Sequence, residues 1–536
     1  VTLAAGVTLL VISFSIAMGM NLDWNGAKLA PIVAMVRAEP HGEPLYQDPD
    51  TGVMTAWIYG PVPALIFLPA AIASRPTGVI FIGIVINILC TLGAALWAHI
   101  RAANTTTIPA HQDTKIMALL MFGVLIWISL THESLRRAIY IVGPDGPAIG
   151  FAVCSTVLLF GRRQNLHLAL SALCAVLSCW SKQTMLPFVL AAPIYLLLID
   201  GRAAVRYVLY LLATGAIISI FFFFAFSPRE SWFTRHWLHN MWFHMLTVPA
   251  SHPWQDTESR SRAIRQAVAG LVHDSTEMIV LLLAVLVIAG FGGAFRNLRS
   301  NDGLRRWLVE NPWVMFLLSG LSLLPMAILG FVKIGGYVNN FALTGFFIAL
   351  GATVCMVTCW PRIESPALRQ LARSLACALI IIRALQILMV EGNVKSMWTR
   401  VRHIDQNQQE AIYGYALTNP GTIYFPWNTL PTLLAEKKLY HFEWGLVDRL
   451  ASPYQPTVQQ IQAHLPSQPR AIAFGPMVQS SYSLQIFPYA TARLPAHDDL
   501  PGFTLVGEPG AQLPQSKRPK TDQPPAPSGG PIRFPK

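Results

Sequence analysis

Charge is scarce in this chain of 536 residues: Asp, Glu, Lys and Arg together make up 12% of it, about half the share of an ordinary soluble domain. With 53% hydrophobic residues and a mean hydropathy of +0.45, that shortage excludes a soluble globular protein and indicates a polytopic membrane protein. Cysteine is also sparse. Its seven copies (Cys90, Cys154, Cys174, Cys179, Cys355, Cys359, Cys377) all lie in apolar segments, and none lies in the polar C-terminal part. Neither a disulfide framework nor a zinc knuckle is indicated. Acids are outnumbered, 27 against 39 basic residues, for a net charge of +12. The basic residues sit in short loops between apolar runs, where they set membrane orientation, so nucleic acid is not an expected partner. No internal repeat is visible.

What is present is a series of apolar stretches long enough to cross about 30 Å of hydrocarbon. They cover 1–20, 78–100, 115–132, 147–161, 166–181, 185–200, 207–226, 276–295, 312–331, 341–359 and 374–390, about eleven spans. Residues 1–20 lack a basic leading region and read as a retained span, not a cleaved signal. The chain must turn near Ser181-Lys182-Gln183, which puts Lys182 at a hairpin tip. Ile58 to Ser74 is short and holds Pro61, Pro63 and Pro69, which suits a re-entrant or interfacial piece. With that piece not crossing, the loops holding Arg101 and Lys115, Arg162 and Arg163, Arg202 and Arg206, Arg296 to Arg306, and Arg362 to Arg373 share one side, the cytoplasm. Loops 21–77, 133–146, 227–275 and 332–340 and the chain after about 391 then share the external side.

A few external cations depart from this positive-inside pattern: Arg136, Arg137, Lys182 and Lys333. Either the lysines snorkel to the interface, or something anionic is held there. Asp23, just past the first span, and Asp145, in Gly143-Pro144-Asp145-Gly146-Pro147, are external acids, each open to a plain turn or helix-end role as well. The stretch from Lys28 to Ala38 reads as an amphipathic helix on the membrane surface, with Ile32, Met35 and Val36 on its apolar face. Loop 227–275 carries Trp232, Phe233, Trp237, Trp242 and Phe243 among His236, His239 and His244. That composition suits an interfacial aromatic helix, or rings that stack on sugar or prenyl chain; His236 and His239 make only half a metal pair.

Asp23 after the first span, Gly42-Glu43-Pro44-Leu45-Tyr46, Tyr59-Gly60-Pro61, external Asp145 and Lys182-Gln183, in that order, resemble the GT-C glycosyltransferases. Within that superfamily the pattern is similar to the aminoarabinose transferase and protein mannosyltransferase group, and the likeness is best over roughly the first 230 residues. The resemblance implies an all-α polytopic fold and a polyprenyl-phosphate-linked sugar donor. It further implies a glycan, lipid or protein acceptor and inversion at the anomeric carbon. Asp23 falls on the family's general base and Asp145 on its second external acid. Many relatives carry Asp-Glu where this chain has Asp23-Trp24. Lys182, Lys333, Arg136 and Arg137 become candidates for the donor phosphate, and Tyr59, Gln183, Trp237, His236 and Asn339 for substrate or lipid contact. The second loop holds Glu133 and Asp145 at opposite ends with no Asp-x-Asp between them. No cofactor is therefore expected, and a divalent metal is not favoured.

After about 391 the composition turns polar. Residues 422–426 and 470–474 read as strands and 430–438 and 457–465 as helices, giving a small extracytoplasmic α/β domain over 391–507 behind the membrane module 1–390. Residues 508–536, rich in Pro, Gln, Ser, Gly and Lys, read as a disordered tail. Tyr440, His441, Glu443 and Trp444 fit a domain core or an acceptor contact. Two other functions fit the composition: a transporter or lipid flippase, and a polysaccharide ligase or polymerase. Transporters place ionisable groups at mid-membrane, and Arg383 inside an apolar run is the one residue of that kind.

Overall fold

The computed structural model describes residues 12, 22–105, 112–161, 164–226, 239–255, 259–293, 295, 301–333, 335–391, 394–403, 406–466, 469–475 and 490–515. Apart from Ile12, the expected span over 1–20 lies outside them, as do the contact residues His236 and Trp237 and, of the expected tail over 508–536, everything from 516 onward.

Helices dominate, and their ends follow local chemistry. Asp200, Ser259, Asn407 and Thr457 each accept a backbone N–H of the helix they open, as short polar caps do. Pro61 and Pro76 stand in the first turn, where the missing N–H costs nothing. Among the described residues, seven helices are long and apolar enough to cross a membrane: Pro76–Asn104, Gln112–Thr131, Gly201–Ala225, Arg260–Phe291, Trp313–Phe331, Asn339–Arg362 and Pro366–Val390. Glu133–Tyr140 and Asp145–Leu158 form an eighth unit, bent by 93° at the break between them. Pro61–Ile72, Asn165–Ser181 and Gln183–Ile199 are shorter apolar helices. Arg260–Phe291 starts well before the span expected at 276, so its first turns occupy the end of the stretch 227–275 expected as an external loop.

Burial sorts these helices into a centre and a rim. Asn339–Arg362 is buried over 94% of its apolar window, with Phe346 and Phe347 fully enclosed. It packs on the helices at 313–331, 260–291, 133–140 and 112–131. Gly201–Ala225 and Pro366–Val390 lie at the rim, only 6% and 11% buried, with Leu209, Leu212, Ile217, Ile220 and Phe221 exposed. In water that surface would be untenable; against lipid it is matched, so the chain is a multi-pass membrane protein.

The helix Leu22–Arg37 departs from the expected surface helix. Ile32 and Val33 are inside the main core and Lys28 is buried as well, while Val36 is exposed. The reason is tertiary. The helix at 429–436 and the segment 61–72 pack along it, covering the face that an isolated amphipathic helix would give to the membrane.

Among its described residues the polar C-terminal part forms four short strands, β1 (Ile423–Tyr424), β2 (Ala471–Phe474), β3 (Ala492–Arg493) and β4 (Thr504–Gly507). Their order is β1-β2-β4-β3, with β1 parallel to β2 and the other pairs antiparallel. Helices at 408–418, 429–436, 443–450 and 458–463 accompany them. Tyr440, His441 and Glu443 are buried in this region. His441 accepts from the Met54 N–H, and Tyr424 donates to the His441 carbonyl, so of the two roles left open this trio fills the packing one.

Candidate active site

The first wall of the site is the segment 54–60. Gly60 lies so close to the helix ending at Ser181 that a Cβ on it would be 1.7 Å from the Trp180 carbonyl oxygen. Only glycine permits that approach. The Gln183 carboxamide donates to the Ile58 and Met245 carbonyls at 2.6 and 2.9 Å, and the Tyr46 hydroxyl donates to the Tyr59 carbonyl at 2.8 Å. Gln183 is therefore a clamp on the loop, and Tyr59 is held with its ring 4.8 Å from the Lys28 ammonium.

The second wall is the broken helix pair. Two buried asparagines pin the break: the Asn87 Nδ2 donates to the carbonyls of Ala138, Ile139 and Ile141, and the Asn25 Oδ1 accepts from the Val142 N–H at 2.7 Å. Backbone freed by the interruption is thus satisfied inside the protein, as membrane depth requires. Gly146 allows the approach, since a Cβ there would lie 1.9 Å from the Asn87 Oδ1. The break delivers Asp145 to the first turn of its helix, and Lys182 donates to it at 2.6 Å. Both side chains are 8% exposed. A buried pair this short is kept by mutual neutralisation, because either charge alone would be costly there.

A third buried charge completes the group. Lys28 sits between the rings of Trp24 and Tyr59, 4.6 and 4.8 Å from their centroids, and its Nζ lies 3.4 Å from the Ala56 carbonyl oxygen. Burial lowers its pKa to about 8; Asp448 and Asp145 oppose that fall and Lys182 adds to it. Asp448, from the helix Glu443–Leu450, is pushed up to about 7 by burial, with Lys28 pulling the other way. His252 Nε2 is 3.6 Å from Asp448 Oδ1. Its pKa is lowered by burial and then by Lys333, while a backbone hydrogen bond at Asp448 opposes the fall. Lys333 donates to the carbonyls of Pro249 and Ala250. Among the described residues, Asp448 Oδ2 and Asn25 Nδ2 are buried with no hydrogen-bond partner; a polar ligand would satisfy such atoms.

Asp23 is on the same helix as Lys28, one and a half turns earlier. Its Oδ1 accepts from Gln409 Nε2 and Asn428 Nδ2, both at 2.6 Å. Burial raises its pKa, and those two hydrogen bonds offset part of the rise. A carboxylate so placed is a stronger base than an exposed one.

The residues singled out in the sequence are thus only partly gathered. Asp145 and Lys182 pair within electrostatic reach of Lys28, whose ammonium lies against the Tyr59 ring; Gln183 braces the loop that carries Tyr59, and Lys333, held by the Pro249 and Ala250 carbonyls, is near enough to His252 to act on its charge. Arg137 is engaged elsewhere: it donates to Glu133 at 3.0 Å and to the Tyr337 hydroxyl at 3.2 Å, and stacks over that ring. Arg136 lies on the same helix, Glu133–Tyr140, and Asn339 opens the central helix. Arg383 pairs with Glu277 of a neighbouring helix, which gives it a structural partner. Sequence reasoning missed Lys28, Asp448 and His252. Lys28 had a signal, a charge flanked by Ala27 and Leu29 in an apolar stretch; Asp448 had none. Among the described residues no group of three or more His, Cys, Asp or Glu side chains could hold a metal ion.

The model of glycosyltransferase family 87 matches residues 57–320, the stretch that holds Tyr59, Asp145 and Lys182. No curated protein matches the chain. Among solved structures, the crystal structure of ArnT from Cupriavidus metallidurans bound to undecaprenyl phosphate aligns over 96% of this chain and 99% of that one, with a TM-score of 0.51 at 12% identity. At that identity the likeness is one of fold. This chain is a multi-pass membrane protein with the GT-C glycosyltransferase fold.

Proposed function

We propose that the protein is an inverting glycosyltransferase that moves a sugar from a polyprenyl-phosphate donor to an acceptor hydroxyl at the outer face of the cytoplasmic membrane. The observation that carries this reading is that one helix, Leu22–Arg37, presents a base and a buried cation: Asp23 held by two amides, and Lys28 beside the Asp145–Lys182 pair. Asp23 takes the acceptor proton on Oδ2 as the acceptor oxygen bonds to the anomeric carbon from the face opposite the phosphate. The bond from that carbon to the phosphate oxygen breaks, and its electron pair leaves with the phosphate. That group departs as an ionised phosphate and needs positive charge, not a proton. Lys182 and Lys28 provide the charge, with Asp145 fixing the Lys182 ammonium. Asp448 Oδ2 and Asn25 Nδ2, buried and unpartnered among the described residues, suit hydroxyls of the transferred sugar. The undecaprenyl phosphate bound to ArnT supports a polyprenyl phosphate as the lipid carrier here, and no cofactor enters the reaction.

The test is donor consumption by the purified protein in liposomes, using a panel of radiolabelled polyprenyl-phosphate sugars. Asp23→Asn is expected to insert normally and lose on the order of 10²–10⁴ in transfer rate, the range for a general base. Undiminished transfer by that variant, or a wild type that consumes no donor on the panel, would count against the reading.

A further inference from the structure

A cavity of about 430 Å³ lies apart from the charge cluster, between the turn at 49–50, the segment 242–247 and the end of the helix Glu443–Leu450. That volume is in the usual range of small-molecule sites, about 300–1,000 Å³. Its chemistry is aromatic and polar together. The rings of Trp242 and Tyr454 are 55% and 42% exposed, while Phe243 is buried. The Phe243 and Tyr454 rings meet edge to face at 5.3 Å. Arg449 lies 5.0 Å over Phe243 and is anchored to backbone: its Nε donates to the Tyr454 carbonyl and its Nη1 to that of Pro49. Asp50 faces the same space on a turn that Asp48 caps by accepting from the N–H groups of Asp50 and Thr51, and Gln455 adds a carboxamide.

From this arrangement we infer that the cavity is the binding subsite for the acceptor, and that the acceptor is a neutral glycan end. Exposed rings offer flat apolar faces to the C–H face of a sugar, while a carboxylate, a guanidinium and a carboxamide around them match its hydroxyls. The lining carries one acid and one base, so it balances charge; a phosphate would meet Asp50 unfavourably. Position gives the second argument. Asp448 and Arg449 are consecutive on one helix, and the first turns to Lys28 and His252 while the second turns into the cavity. On the other wall, Phe243 lines the cavity and the Met245 carbonyl holds Gln183, next to Lys182. Cavity and charge cluster are thus two sides of the same two elements. A glycan seated on the rings lies against the walls that carry the charge cluster on their other side.

This inference rests on the glycosyltransferase reading for its word "acceptor", but binding is testable without turnover. The full-length protein in lipid nanodiscs is dialysed against radiolabelled linear tetrasaccharides of glucose, mannose and N-acetylglucosamine. At least one is expected to bind saturably, and the Trp242→Ala, Tyr454→Ala double variant to weaken that binding about tenfold or more. Asp50→Asn, at an exposed position of a turn capped by Asp48, should weaken it by a smaller factor. In transfer assays the double variant should raise the KM for glycan by the same factor and leave the donor KM unchanged. No saturable binding of any tetrasaccharide, or binding that both variants leave intact, would overturn the proposal. So would displacement by phosphatidylglycerol vesicles, which would assign the cavity to a lipid headgroup. Glycan binding without donor consumption would uphold the cavity as a glycan site and refute the transferase reading alone.

Discussion

Asp145 and Lys182 show what a buried ion pair demands of its members. Lys182→Ala leaves a carboxylate in a site 8% exposed with nothing to neutralise it, and is expected to destabilise the protein by about 3–5 kcal/mol. The double variant Asp145→Leu, Lys182→Met should recover most of the stability in thermal unfolding while remaining inactive, which separates the structural role from the chemical one. Lys28 and Asp448 make a pH prediction. In the proposed mechanism the donor phosphate is bound by the Lys28 ammonium, which is present below its pKa of about 8. Donor kcat/KM, which reports the free enzyme, is therefore expected to fall as pH rises through about 8. Asp448→Asn removes a charge that holds the Lys28 pKa up, so the fall should come at lower pH; an unmoved alkaline limb would rule Lys28 out of donor binding. The two acids flanking spans and the hairpin lysine were legible in the sequence because position in an alternating apolar pattern identifies them. Lys28 was misplaced because its periodicity resembles that of a surface helix, and Asp448 was invisible because Asp448-Arg449 in a short amphipathic helix looks like an ordinary solvated pair.

Among the elements, the interrupted ones do the positioning. The loop ending in Gly60 is held by Gln183 above and Trp180 below, and a methyl group at Gly60 meets backbone, which cannot rotate away. Gly60→Ala is expected to cost about 3 kcal/mol, the upper end for overpacking, and to raise the donor KM by moving Tyr59 from Lys28. Thermal unfolding with donor titration checks both. Prolines 61, 63 and 69 marked this piece as broken, and length and apolarity located most of the long helices. Neither property says which side of a helix meets protein and which meets lipid. The central helix at 339–362 and the rim helix at 201–225 are comparably apolar, yet one is enclosed and the other bare. The difference lies in who packs against them, and that is a property of the assembled bundle.

On the scale of the whole molecule, the polar C-terminal part and the membrane bundle share one centre. Both amides on Asp23 come from beyond residue 400, as does Asp448. The Gln409→Ala, Asn428→Ala double variant is expected to insert and fold but to move the acidic limb of kcat/KM to higher pH. The sign follows from the bonds: both lower the Asp23 pKa, and without them a larger fraction of the base is protonated at a given pH. An unshifted limb would show that Asp23 is not the group titrating. The strands and helices after 420 were visible as short alternating and periodic runs. Their attachment to Asp23 was not, because contacts separated by about four hundred residues leave no local pattern.

The enclosure of the helix Asn339–Arg362 also bears on biogenesis. Nearly all of its neighbours are made before it and must wait, with a helix-sized gap among them, until the ribosome has passed residue 362. A nascent chain halted earlier has its spans in the bilayer but lacks the strut on which they close, so closure of the bundle waits until roughly two thirds of this sequence has been made, and the rim span at 366–390 and the polar C-terminal part are added to an already closed bundle.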